Sequence, residues 1–346
     1  MSQTTQAAVL VNLAQPLELM DLTLPELKPG QILVDVAFSG ICQSQLNEVR
    51  GRKGPDRFLP HTLGHEGSGT VVAVSEGVTK VKPGDQVVLS WLKGAGADVP
   101  GTVYQGPPGA VNSGAISTFM RRTITCENRV TKLPPEVPLR EAALLGCAIP
   151  TGAGIVMNTL KLEAGQSIVV FGLGGVGLSA LLAAKALGAA PIIAVDVVPE
   201  KLELARTLGA THVFDARSAD VIAEVRALTG GKGVDYAVEA TGNSIAMETA
   251  HEVVRTGGGL CIIAGNAPHG VTVKLNPFNL IAGRRIAGSW GGDTKLDEDV
   301  PRYAKMYAEG RLRLSELITA EYSLDQINQA FDDLEAGRVA RALLAL

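Results

Sequence analysis

The sequence predicts an α/β protein made of an irregular β-rich domain and a doubly wound parallel sheet. Two observations carry this. Up to about Leu145 the chain reads as short strands broken by Gly and Pro. From about Gly165 it changes to regular strand–helix alternation. The length of 346 residues allows two such domains.

In the first part the strands are QAAVLV, QILVDVAF, GTVVAVS and DQVVLSW, with the turn signal Lys82-Pro83-Gly84-Asp85 between the last two. A Gly/Pro-rich insert over 94–114 reads as a surface loop. In the second part IVVF leads into a Leu/Ala-rich helix ending near Gly188, and IIAV into a helix over 200–208 stopped by Gly209. HVF, VDYAVEA, LCIIAG and RIAGSW follow, each apolar enough for a strand buried on both faces. Such alternation implies a parallel sheet with right-handed crossovers, and six strands complete a doubly wound dinucleotide fold. Helices are expected over 300–309 and 324–335, and the closing run RALLAL reads as a strand returning to the first domain. The expected division is 1–148 and 290–346 for the β-rich domain and 149–289 for the parallel sheet.

Composition narrows the function. Hydrophobic residues make up 46% and charged residues 19%, as in a globular protein with real cores. A net charge of -4 and an aromatic content of 4% give neither the basic face nor the stacking platform that nucleic acid requires. Residues 1–5 are polar, with no basic-then-apolar leader, and no apolar run approaches the roughly 20 residues that span a bilayer. The expectation is a cytoplasmic protein with a small-molecule substrate, and neither nucleic acid nor membrane as partner. Cys42, Cys126, Cys147 and Cys261 are scattered with no CxxC pair, so no disulfide framework is expected. Cys126 and Cys261 read as small buried hydrophobes.

The run Gly172-Leu173-Gly174-Gly175-Val176-Gly177 follows a strand and opens an apolar helix, which is the setting that turns a GxGxxG into a dinucleotide fingerprint. Gly172 permits the tight turn, Gly174 lets the backbone approach a pyrophosphate, and Gly177 lets the helix lie close to the strand. The helix N-terminus, with Gly175 and Val176, offers N–H groups to the phosphate charge. Asp196 ends the next strand, where a carboxylate accepts both ribose hydroxyls and repels a 2′-phosphate. Val197 and Val198 supply no arginine there, so NAD is favoured over NADP. Lys201 either reaches the same ribose or is a solvated helix-face lysine.

Cys42 and His65 are too far apart for a zinc-finger spacing, and spacing alone makes them an ordinary core cysteine and histidine. The order of motifs says more. GICQSQ, GHEGSGTVVAV, KPGDQVV and LLGCAIPTGAG precede GLGGVG, and together they resemble the zinc-dependent alcohol dehydrogenases of the medium-chain dehydrogenase/reductase superfamily. The likeness runs from about Ala7 to the last residue. It implies a GroES-like catalytic domain split around a Rossmann domain, with Cys42, His65 and Cys147 on a catalytic zinc and Glu66 beside it as an alternative ligand. Three protein ligands leave a fourth position open for substrate; the Cys₂His set is the standard description of alcohol dehydrogenase zinc. Zinc there acts as a Lewis acid on the alcohol, and two thiolates temper it. The resemblance further implies that Ser44 hydrogen-bonds the substrate oxygen and carries its proton away, the alternative being a turn serine. It places Trp91 on the substrate-pocket wall, against plain core packing, and Arg341 on the cofactor pyrophosphate, against a surface arginine.

The sequence also departs from these relatives. The stretch KGAGADVPGTVYQGPPGAVNSGA has no cysteine where many of them hold a structural zinc with four, so one catalytic zinc is expected and no structural one. Gln43 replaces a His or Arg near the pyrophosphate, Gln45 an aspartate that supports the zinc-ligand histidine, and Asn47 the histidine that ends a proton relay. The competing readings are a polyol or sugar dehydrogenase, a zinc-independent quinone or enone reductase, and a non-catalytic NAD-binding protein. A homodimer or homotetramer is expected, with LCIIAG near the sheet edge at which relatives pair.

Overall fold

The computed structural model describes residues 3–346; the first two residues of the polar 1–5 opening lie outside it. The chain forms two units, Met1–Cys147 with Lys295–Glu309 and Ile318–Leu346, and Ala148–Thr294 with Gly310–Leu317.

The first unit is organised around the strand Gln31–Ile41, whose Ile32, Val34 and Val36 are buried. Antiparallel to it run Glu66–Val74, Arg122–Cys126 and, at its C-terminal end, Ala342–Ala345. The expected closing strand therefore lies here, with Ala320–Ser323 parallel to it on the other side. Among the described residues a second group of strands, Thr4–Leu10, Glu18–Thr23, Val103–Gly106, Gly109–Asn112 and His61–Thr62, closes into a barrel. The 94–114 insert is thus not all loop. Its Val103–Gly106 and Gly109–Asn112 strands form a hairpin that puts Tyr104 and Val111 into the barrel core with Val9, Leu22 and Met120. The Gly-Pro-Pro-Gly turn between them masked two strands too short to show periodicity. A second core joins the helices Gln43–Val49 and Ile327–Glu335, with Leu46 and Val49 near Phe331, and Phe119 edge-on to Phe331 at 5.9 Å.

What does remain loop, the stretch around residues 93–101, is held by carboxylates. Glu127 Oε1 accepts from Thr79 N (2.6 Å) and Lys80 N (2.7 Å), and its Oε2 accepts from Ala97 N (3.1 Å). Asp297, in the helix Leu296–Ala308, accepts from Ala95 N (2.7 Å) and Thr131 Oγ1 (2.7 Å), and pairs with Lys80 Nζ at 2.6 Å. These bonds satisfy loop N–H groups that no ladder reaches.

The second unit is a parallel sheet in the order His212–Asp215, Ile192–Asp196, Ile168–Phe171, Tyr236–Glu239, Leu260–Ile263, Arg285–Gly288. This is the doubly wound order with its reversal next to Ile168–Phe171. The helix Gly175–Leu187 ends on left-handed Gly188 and Pro199–Leu208 on left-handed Gly209, as read from the sequence. Val221–Leu228 and Ser244–Glu252 are further helices, capped by the Asp220 and Asn243 side chains. The expectation that every strand is buried on both faces holds for the central ones only. The two outermost, His212–Asp215 and Arg285–Gly288, are half-buried and largely exposed, because each has a neighbouring strand on one side only.

The division also differs from the expected one. Ala148 and residues 290–294 and 310–317 go with the parallel sheet. The contacts explain it: Thr294 Oγ1 donates to Pro150 O (2.7 Å), Arg311 Nη2 to Ala186 O (3.1 Å) and Arg313 Nη2 to Thr207 O (2.6 Å), while Leu312, Leu314 and Leu317 are buried.

Candidate active site

The first unit brings three chain segments together at one point. Cys42 follows the strand Gln31–Ile41 and stands at the N-terminus of the helix Gln43–Val49. His65 precedes the strand Glu66–Val74, and Cys147 follows the short 3₁₀ turn Ala143–Gly146. The Ser90 hydroxyl grips that turn by donating to Gly146 O at 2.6 Å. Donor atoms of Cys42, His65, Glu66 and Cys147 all lie within 4.8 Å of one another.

The chemistry of this cluster suits a soft divalent metal. His65 Nε2 is buried with no hydrogen-bond partner, which is costly for an imidazole nitrogen unless something else binds it. Hydrogen bonding with Cys147 holds the Cys42 thiol well below its ordinary value. Burial opposes this, and His65 and the Arg341 charge reinforce it. Thiolate is the form that binds metal. Glu66 is completely buried and ion-paired with Arg341.

Arg341 is itself buried, and its Nη1 donates to Ile41 O at 3.0 Å. Burial lowers its basicity, while the nearby Cys42 opposes that. The structure therefore places this guanidinium beside the sulfur cluster, where its charge balances Glu66; its Nε is buried and unpartnered. Gln45 is buried, and with its amide oxygen turned to the backbone it accepts from Gly64 N (2.6 Å) and His65 N (3.2 Å). It steadies the backbone that carries the histidine. Ser44 is half-buried on the first turn of the helix Gln43–Val49. Trp91 packs against the core that holds Ile32, Val87 and Leu89, so what the structure shows of it is core packing. Cys126 and Cys261 are buried, as read from the sequence, and burial beside Glu239 pushes the Cys261 thiol up to about 12.

The second unit assembles the fingerprint. Gly172 has φ +85°, a side chain on Gly174 would point into open space, and one on Gly177 would collide with Gly172 O. The turn, the open approach and the close helix packing are thus each present. The helix that follows has no side-chain N-cap, so its first-turn N–H groups at Gly175, Val176 and Gly177 suit an anion. Asp196 Oδ2 accepts from Leu173 N (2.6 Å), and Oδ1 from Val197 N (2.7 Å) and Val198 N (3.0 Å). These bonds fix the carboxylate and leave lone pairs for ribose hydroxyls. Lys201 is half-buried in the first turn of the helix Pro199–Leu208.

Two groups escaped the sequence reading. One is the Glu127/Asp297 clamp. The other is a charged cluster beside Ser44, in which Lys53 reaches Ser44 and Glu48, and Glu48 and Asp56 both approach His61. Ser44 and Glu48 stand four apart on one helix, which was the available signal.

A β-rich unit with two thiols and an imidazole at one point, and a doubly wound unit with a complete dinucleotide fingerprint, define a nicotinamide-linked metal oxidoreductase. Comparison with known proteins agrees. Residues 28–135 match the family model of the alcohol dehydrogenase GroES-like domain, and residues 175–309 that of the zinc-binding dehydrogenases. Alcohol dehydrogenase class-3 of Cereibacter sphaeroides is 35% identical over 98% of this chain and 99% of its own length. S-(hydroxymethyl)glutathione dehydrogenase of Paracoccus denitrificans is 34% identical over the same shares. Benzyl alcohol dehydrogenase of Acinetobacter calcoaceticus superposes with a TM-score of 0.90 at 31% identity, over 99% of both chains. The chain belongs to the zinc-dependent alcohol dehydrogenases of the medium-chain dehydrogenase/reductase superfamily. It is an NAD-linked oxidoreductase of alcohols and aldehydes.

Proposed function

We propose that Cys42, His65 and Cys147 hold a single zinc ion per chain, at which a small alcohol is oxidised or the matching carbonyl compound reduced. The observation that carries this reading is the buried, unpartnered Nε2 of His65, a residue clustered with two thiols. When bound, zinc supplies a Lewis acid that stabilises the alkoxide from which hydride departs. Glu66 stands by as an alternative ligand, and Arg341 holds its carboxylate and keeps the site's negative charge in check. Ser44 hydrogen-bonds the substrate oxygen and exchanges a proton with it, and Trp91 borders the substrate. In the other unit Gly172, Gly174 and Gly177 shape the turn for the pyrophosphate, and the Gly175–Gly177 N–H groups bind it. Asp196, with Lys201 beside it, takes the ribose hydroxyls and excludes a 2′-phosphate.

The cysteine-free loop supports a stoichiometry of one. It contains no cysteine, and Glu127 and Asp297 accept from the backbone at Ala97 and Ala95. A homodimer formed at the exposed strand Arg285–Gly288 is supported by Phe278, Ile281 and Trp290, exposed by 69, 80 and 81%. An edge of unpaired backbone flanked by large apolar side chains invites a partner strand. This moves the expected pairing from LCIIAG to the strand outside it. Four free cysteines fit a reducing, cytoplasmic compartment. Among the described residues no single helix is long and apolar enough to cross a membrane.

The test is metal analysis of the purified protein together with an NAD(H)-coupled panel of primary and secondary alcohols, aldehydes, ketones and polyols. We expect one zinc per chain, with turnover lost on chelation and restored by zinc. Two zinc ions per chain, or full turnover without metal, would overturn the reading.

A further inference from the structure

The residue that would carry a proton beyond Ser44 is not at position 47. Asn47 is buried, its side-chain oxygen already approached by Gln43 Nε2 at 3.3 Å, and a carboxamide does not titrate. A charged group does reach Ser44 from the segment after the helix. Lys53 Nζ donates to Ser44 Oγ at 3.2 Å and to Glu48 Oε2 at 2.8 Å. Glu48 is anchored in turn. Its other oxygen lies 3.7 Å from His61 Nε2, which sits 2.8 Å from Asp56 Oδ2, while His61 Nδ1 faces Thr62 O at 3.0 Å. His61 thus has an oxygen partner at each ring nitrogen, and Glu48 stands between Lys53 Nζ and the imidazole. The Lys53 side chain is 43% exposed, which lets it exchange protons with bulk water while its amine stays on Ser44.

We infer that Lys53 is the group that supplies and removes the reaction's proton through Ser44. The inference rests on the reading that Ser44 hydrogen-bonds the substrate oxygen. In carbonyl reduction the established hydride transfer adds an electron pair at carbon, and the carbonyl π pair moves onto oxygen. That oxygen takes the Ser44 hydroxyl proton, and Ser44 Oγ takes one from the Lys53 ammonium. One Nζ–H bond breaks, one O–H bond forms on the product, and Ser44 ends unchanged. Neutral Lys53 regains its proton from water. Alcohol oxidation runs the same route backwards: the Lys53 ammonium first gives a proton to water, and the neutral amine then takes one from Ser44 as Ser44 takes the substrate's. Glu48 is a positioning residue that holds the amine over Ser44.

The test is single-turnover carbonyl reduction by the zinc-loaded holoenzyme with NADH bound, using Lys53→Arg, Lys53→Ala and Ser44→Ala. Arginine keeps the charge and the Glu48 pair but does not release a proton in proteins. We expect Lys53→Arg and Lys53→Ala each to slow the step about 100-fold, within the range of general acid catalysis. KM, zinc content and NADH affinity stay near wild type. Methylamine restores Lys53→Ala in proportion to its concentration and leaves Lys53→Arg slow. Lys53→Arg at the wild-type rate, or no rescue of Lys53→Ala, overturns the role of Lys53. If Ser44→Ala also runs at the wild-type rate, the Ser44 reading falls with it; a slow Ser44→Ala shows that only the Lys53 step was wrong.

Discussion

Glu127→Ala removes the carboxylate on which the cysteine-free loop closes, and the structure sets the size of the effect. The side chain is 2% exposed and accepts three backbone N–H groups, those of Thr79, Lys80 and Ala97. A hydrogen bond to a charged acceptor contributes about 1.5–3 kcal/mol, but these share one carboxylate and are not additive. Water entering the vacated space recovers part of the loss. A net cost of about 3–5 kcal/mol follows, which at roughly 2–4 °C per kcal/mol lowers Tm by about 10 °C. Scanning calorimetry at one fixed rate is the assay, because unfolding of a chain this size is rarely reversible. pH adds a second signature. Burial alone would raise the Glu127 carboxyl, yet the N–H groups of Thr79, Lys80 and Ala97 outweigh it and hold it below the ordinary 4.5. A lowered carboxyl stabilises fully above its unfolded value and loses that contribution as pH falls through its folded one. The gap in Tm between wild type and Glu127→Gln should therefore be widest near neutrality and shrink below about pH 4.5. A Glu127→Ala Tm within about 1 °C of wild type would refute the clamp. So would a Tm restored by added zinc.

Two further outcomes are expected. Asp196→Asn keeps an acceptor oxygen for the backbone but removes the charge, so NADH should bind about 10-fold more weakly while NADPH gains; an unchanged NADH/NADPH preference in fluorescence titrations would contradict the ribose assignment. Ile281→Glu places a charge beside the exposed strand Arg285–Gly288, and light scattering should then report the 36.0 kDa chain mass in place of its multiple. An unaltered assembly mass would place the contact elsewhere.

The sequence by itself determined whatever depends on neighbours in the chain. The GxGxxG at Gly172–Gly177, the carboxylate at Asp196 and the glycine stops at Gly188 and Gly209 are local signals, because backbone conformation and strand–helix period are written over a few residues. The thiol–imidazole cluster was half legible. Its residues were identifiable through the order of motifs, but nothing in the spacing of Cys42, His65 and Cys147 requires them to meet. Tertiary structure alone decided the rest. The Glu66–Arg341 pair joins residues 275 apart, and the Asp297 bond to the Ala95 backbone joins residues 202 apart. It also decided which strands are edges, and that Tyr104 and Val111 of the supposed loop are core. Partners so distant in sequence leave no periodic trace, since their pairing follows from how the strands are ordered in space. Lys53 shows the same limit at short range. Its place beside Ser44 depends on the path the chain takes after the helix Gln43–Val49, and residue type alone does not specify that path.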